Sequence, residues 1–161
     1  MVAPHGIWEI TDLYGDPHAF VREDGTASSF WERRMVGVNF PSGLPLGWKV
    51  NGMEVVATRA RVNEAIAAET LALFRSWYLS GLWPKLATFD GGYTWRSKRG
   101  ADDLSMHAYG GALDFNASTN QLGSEGDMDR GLVEVAQRRG WTWGGEWKRP
   151  DPMHFQWGRG Y

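Results

Sequence analysis

The sequence predicts an α+β fold, a small antiparallel sheet with flanking helices around a cleft, and three observations lead to it. Between Ala60 and Leu79, apolar residues recur at Val62, Ala65, Ile66, Leu73, Phe74 and Trp77 with helical spacing and no interior Pro or Gly. Short segments at Ala112–Phe115 and His154–Trp157 alternate polar and apolar residues as half-buried strands do. The predicted helices and strands follow one another irregularly, which favours α+β over a regular parallel α/β order.

From Gly6 to Val50 the chain mixes aromatics with turn formers such as Tyr14-Gly15-Asp16-Pro17 and Pro41-Ser42-Gly43. No helical period is sustained there, so short strands and turns are expected. The helix predicted over Ala60–Leu79 stops at Gly81, and Pro84 prevents its resumption. Leu86–Tyr93 reads as a strand leading into Gly91-Gly92. A second helix is expected over Met128–Arg139, with Asp127 or Asp129 near its start and Gly140 at its end. Trp141–Trp143 and His154–Trp157 complete the strands. At 161 residues a single domain is expected, with residues 1–55 an N-terminal extension packed on a core at residues 60–157.

Composition narrows the chemistry. A formal charge of −2 and a pI near 6.1 give no electrostatic footprint for nucleic acid or an anionic membrane. No apolar run approaches the roughly 20 residues of a membrane span, and Met1–Ile10 has neither the basic start nor the apolar core of a signal peptide. The absence of Cys excludes disulfides and thiolate metal sites and leaves His, Asp and Glu as the strong ligands. Ten Trp are expected chiefly as core or cleft wall, including Trp141, Trp143, Trp147 and Trp157.

Two of the four His lie in segments that also hold an Asp at short spacing, Ser105-Met106-His107 through Asp114, and Asp151-Pro152-Met153-His154. Strand alternation puts Asp114 opposite Leu113 and Phe115, and His154 with Gln156 opposite Phe155 and Trp157. Gly110 and Gly111 let the chain turn between His107 and Asp114. Two imidazoles and a carboxylate suit one Zn²⁺ and leave it a fourth position, the pattern of a catalytic site. Zinc acidifies bound water toward a pKa of about 7 and polarises a carbonyl, and a separate base is still required. His5 and His18 lack a matching carboxylate and are expected to be non-ligands.

These segments, with their Ser-x-His-x6-Asp and Asp-x-x-His patterns, resemble the zinc D-Ala-D-Ala carboxypeptidase and dipeptidase family, which includes L-Ala-D-Glu endopeptidases of phage lysins. The likeness covers residues 60–157 and is strongest to phage and prophage members through Ser-Met-His, Met-His-Phe-Gln and the Asn116–Gly123 region. It implies His107, Asp114 and His154 as metal ligands, Asp151 as the catalytic carboxylate and Arg96 as an arginine that polarises or clamps the substrate, with Arg99 its neighbour and competitor. Glu146 competes with Asp151 as base but does not fall on the family position. Ser105 would hydrogen-bond substrate or shape the loop before His107.

The function so implied is hydrolysis of peptidoglycan stem peptides by a monomer, at L-Ala-D-Glu or at terminal D-Ala-D-Ala. It also implies action on the bacterial cell wall by a phage-encoded protein or one released from the cytoplasm. The rival is a non-catalytic, zinc-stabilised cell-wall binding or interaction module. A glycosidase working through two carboxylates would leave the ordered His positions unexplained.

Overall fold

The computed structural model describes residues 1–98, 100 and 102–161. Its helices are α1 (Gly6–Tyr14), α2 (Ser29–Glu32), α3 (Ala67–Leu79) and α4 (Arg130–Arg138). Its strands are β1 (Met35–Pro45), β2 (Val56–Asn63), β3 (Phe89–Gly91), β4 (Ala112–Phe115), β5 (Thr142–Trp143) and β6 (His154–Gln156). β1 and β2 form an antiparallel pair, and the other four make an antiparallel sheet in the order β3-β4-β6-β5. This is the expected α+β architecture of small antiparallel sheets flanked by helices. Among the described residues, no helix is long and apolar enough to cross a membrane.

The four-stranded sheet has one face for the core and one for the site, because side chains alternate along each strand. On the inner face Leu113 and Phe115 of β4 and Phe155 of β6 are fully buried. Helix α3 covers them: the Trp77 ring meets Phe115 and Phe155 edge-on, each at 5.5 Å. The Trp77 indole N–H donates to the Leu132 carbonyl at 3.0 Å and so ties α3 to α4. Trp141, Trp143 and Trp157 are buried in this core, whereas Trp147 is 36% exposed beside the site.

The structure corrects three expectations. The helix expected from Ala60 begins at Ala67, and Val56–Asn63 is strand β2. There Ala60 and Val62 are buried while Arg59 and Arg61 are exposed, a period of two that overrides the helical stripe. The Asn63 carboxamide accepts the Ala65 N–H at 3.0 Å, ending the strand and opening the helical turn that leads into α3. The strand expected over Leu86–Tyr93 is confined to Phe89–Gly91, since the Asn116 carboxamide takes the Ala87 and Thr88 amides that a ladder would use. Gly6–Tyr14, expected as strand and turn, is helix α1, nucleated by few residues and held by burial of Ile10 and Tyr14. Ile10, Tyr14, Val38, Phe40 and Leu44 from the first 55 residues share one core cluster with Leu113, Phe115 and Phe155.

Gly110 shows why the turn before β4 is written in glycine. Its φ is +70°, and a Cβ would meet the Asn63 amide nitrogen and the Met35 sulfur, both at 2.6 Å. Gly110→Ala is therefore expected to lose at least the ~1–2 kcal/mol cost of a left-handed conformation, with more from the clash. A denaturant midpoint unchanged from wild type would contradict this.

Candidate metal centre

The register of β4 against β6 places Asp114 directly opposite His154. His107 arrives from the loop before β4. Gly110 N–H donates to the His107 carbonyl at 3.0 Å and Gly111 N–H to that of Met106 at 2.9 Å, so the chain reverses and aims His107 at the same point. The ligand-type atoms of His107, Asp114 and His154 all lie within 4.8 Å of one another. His107 Nε2 is 3.1 Å from Asp114 Oδ2. His154 Nδ1 is 3.0 Å from Asp114 Oδ1 and 3.2 Å from His107 Nε2.

The remaining ring nitrogens are also engaged. His107 Nδ1 lies 2.7 Å from the Gly92 carbonyl oxygen. A carbonyl can only accept, so Nδ1 carries a hydrogen, and in the neutral imidazole Nε2 turns its lone pair toward the cluster. Gly92 comes this close because it is glycine: a Cβ there would lie 2.6 Å from the Arg61 carbonyl oxygen of β2. His154 Nε2 faces the Gln156 amide oxygen at 3.0 Å.

The electrostatics show what the cluster favours. Burial opposes the charge on Asp114, but the His107 charge and hydrogen bonds from both imidazoles outweigh it and hold the carboxyl well below the usual carboxylate range. Burial likewise opposes protonation of His154, and the hydrogen bond and charge of Asp114 outweigh it and raise its pKa. Both shifts say that a positive charge belongs among these groups. Groups at this 3.0–3.2 Å spacing are held together by protons on the imidazoles or by a metal cation that replaces them. Two imidazole nitrogens and one carboxylate are the donor set that zinc accepts, so the residues present fit the metal.

A cleft of about 240 Å³ opens over the cluster, with Asp114 and His154 in its lining beside Arg96, Ser105 and Asp151. Asp151 is held by a loop that folds back on the β5 end. Its amide donates to the Gly144 carbonyl at 2.9 Å, its carbonyl accepts from His154 N–H at 3.0 Å, and Trp143 Nε1 donates to the Pro152 carbonyl at 2.8 Å. Its carboxylate also contributes to raising the pKa of His154. Glu146 is elsewhere: it does not line the cleft, and its Oε2 accepts from Gln137 of α4 at 3.0 Å.

Arg96 lines the cleft, and its carbonyl accepts from Ser105 N–H at 3.0 Å, which joins its segment to the His107 loop. Ser105 is buried and its hydroxyl accepts the His107 amide at 3.3 Å, so it shapes the loop while also facing the cleft. Arg99 lies outside the described residues. His5 and His18 are not members of the cluster.

Several cleft residues were not anticipated. Lys98 stands over the Tyr161 ring, its Nζ 3.4 Å from the centroid, and Arg149 lies on the exposed approach to Asp151. Leu122, Met153 and Tyr161 give apolar wall. The Trp147 ring lies 5.2 Å from the His154 ring. Lys98 and Arg149 lie outside the strands, so no sequence periodicity marked the two cations; loop packing brings them to the cleft.

Residues 99–157 match the D-alanyl-D-alanine carboxypeptidase family of M15 peptidases. The matched stretch contains His107, Asp114, Asp151 and His154, and begins just beyond Arg96. The similarity to that family therefore covers the stretch that holds the His-Asp-His triad suited to zinc. No curated protein and no solved structure matches the chain.

Proposed function

We propose that the protein is a zinc metallopeptidase of endolysin type that hydrolyses stem peptides of bacterial peptidoglycan, acting as an L-Ala-D-Glu endopeptidase ahead of a D-Ala-D-Ala carboxypeptidase. The observation that carries this reading is the convergence of His107, Asp114 and His154 at a solvent-open cleft inside the family-matched segment.

In this reading His107 Nε2, His154 Nδ1 and an Asp114 oxygen hold the zinc. The metal, when bound, supplies a Lewis acid and lowers the pKa of water. Asp151, in the cleft lining, takes the proton of the attacking water and returns it to the leaving amine. Arg96, in the cleft lining, offers its guanidinium to the scissile carbonyl oxygen as negative charge develops, or to a substrate carboxylate. Ser105 adds a hydroxyl at the cleft wall. Arg96, Lys98 and Arg149 make the rim basic, which suits a peptide bearing free carboxylates.

The endopeptidase preference has a structural support. A second groove, lined by Gly47, Asp90, Ala117, Ser118 and Gln121, shares Asp114, Leu122, Arg149 and Met153 with the first. Space on both sides of Asp114 allows a chain to run past the metal instead of ending there. Mass spectrometry of digested peptidoglycan identifies the bond: new N-terminal D-Glu is expected, release of terminal D-Ala alone would make the enzyme a carboxypeptidase, and intact stem peptides would contradict the reading.

A further inference from the structure

We propose that Gln156 is a positioning residue that selects Nδ1 of His154 as the metal donor, an inference resting on the metal-site reading above. The Gly158 carbonyl oxygen lies 3.1 Å from Gln156 Nε2. That oxygen can only accept, so the amide nitrogen of Gln156 faces it and the amide oxygen is turned the other way. The oxygen is thereby presented to His154 Nε2 at 3.0 Å, where it too can only accept. Nε2 must therefore carry the hydrogen, and in the neutral imidazole Nδ1 is left with the lone pair that faces Asp114 and His107.

The relay is anchored at its far end. The Gly158 carbonyl also accepts from the Thr142 hydroxyl at 2.8 Å, which fixes its direction and keeps it satisfied if Gln156 is removed. Gln156 is 2% exposed and sits two residues beyond His154 on β6, so strand alternation puts both side chains on the site face. The two imidazoles are thus set by different devices. His107 is fixed by a backbone carbonyl, and His154 by a side chain that a substitution can delete.

The test is zinc affinity of the full chain, read by competition with a chromophoric chelator for wild type, Gln156→Leu and Gln156→Glu. Loss of an outer partner of this kind costs roughly 10- to 100-fold in metal affinity, which is the weakening expected of Gln156→Leu. Gln156→Glu keeps the acceptor and should bind zinc close to wild type. Long-range ¹H–¹⁵N spectra of the zinc-loaded protein should show His154 protonated at Nε2 in wild type and in Gln156→Glu. Zinc on Nδ1 itself requires that tautomer, so the affinities of the two variants carry the test.

A Gln156→Leu protein that binds zinc as wild type does overturns the proposal. If Gln156→Leu does not fold, a folded Gln156→Glu protein that loses tenfold or more in affinity overturns it instead, and one that matches wild type supports it. Wild type that takes up no zinc would overturn the metal-site reading itself. Wild type that binds while the substitutions are silent overturns only the role of Gln156.

Discussion

Asp151→Asn is expected to keep its zinc and lose about 10²- to 10⁴-fold in turnover, the range for removal of a positioned general base. The substitution preserves size and backbone geometry, so the Gly144 and His154 amide contacts that place the residue survive. The loss should fall on kcat with KM little changed, because the proton transfer is made only on the way to the transition state. Glu146→Gln should be far milder, since Glu146 lies outside the cleft and its carboxylate serves Gln137. Steady-state rates and zinc content of both variants decide the matter. A larger loss in Glu146→Gln would move the base there, and zinc loss in Asp151→Asn would make Asp151 a ligand or a ligand's support.

The second large effect is on the metal. His107→Ala, Asp114→Ala and His154→Ala are each expected to abolish tight zinc binding, since two protein donors hold the ion poorly. Asp114 carries an added weight: it supplies the only carboxylate of the cluster, and its removal leaves two imidazoles facing each other at 3.2 Å. Metal analysis after dialysis is the measurement. Full zinc occupancy in any of the three variants would remove that residue from the ligand set.

The fold class and the clustering of His107, Asp114 and His154 were legible in the sequence, and the reason is physical. Local spacing, a Gly-Gly turn and strand alternation orient these side chains within each segment, whereas their joining into one ligand set was implied by the family resemblance. The Asp114–His154 register and the burial of Leu113, Phe115 and Phe155 on the opposite face express that alternation. The start of α3 was not legible: Val62, Ala65 and Ile66 satisfy a helical stripe, and pairing of β2 with β1 overrides it.

Helix α1 escaped for a related reason. It runs only from Gly6 to Tyr14, too short to show its period clearly, and its stability comes from distant partners such as the Trp157 carbonyl, which accepts from the Tyr14 hydroxyl at 2.6 Å. Lys98, Arg149 and the Gln156 relay depend on which loops face the cleft, and that is decided by tertiary packing. The role of Gln156 becomes visible only when the Gly158 carbonyl is seen behind it.

The most direct test of the central claim is a titration of metal-stripped protein with zinc, following cleavage of purified stem peptide. Activity should be absent in the stripped protein, rise linearly and reach its plateau at one zinc per chain, matching the one His-Asp-His cluster found among the described residues. Cleavage that survives stripping, or a plateau unrelated to one equivalent, would contradict a catalytic zinc held by His107, Asp114 and His154.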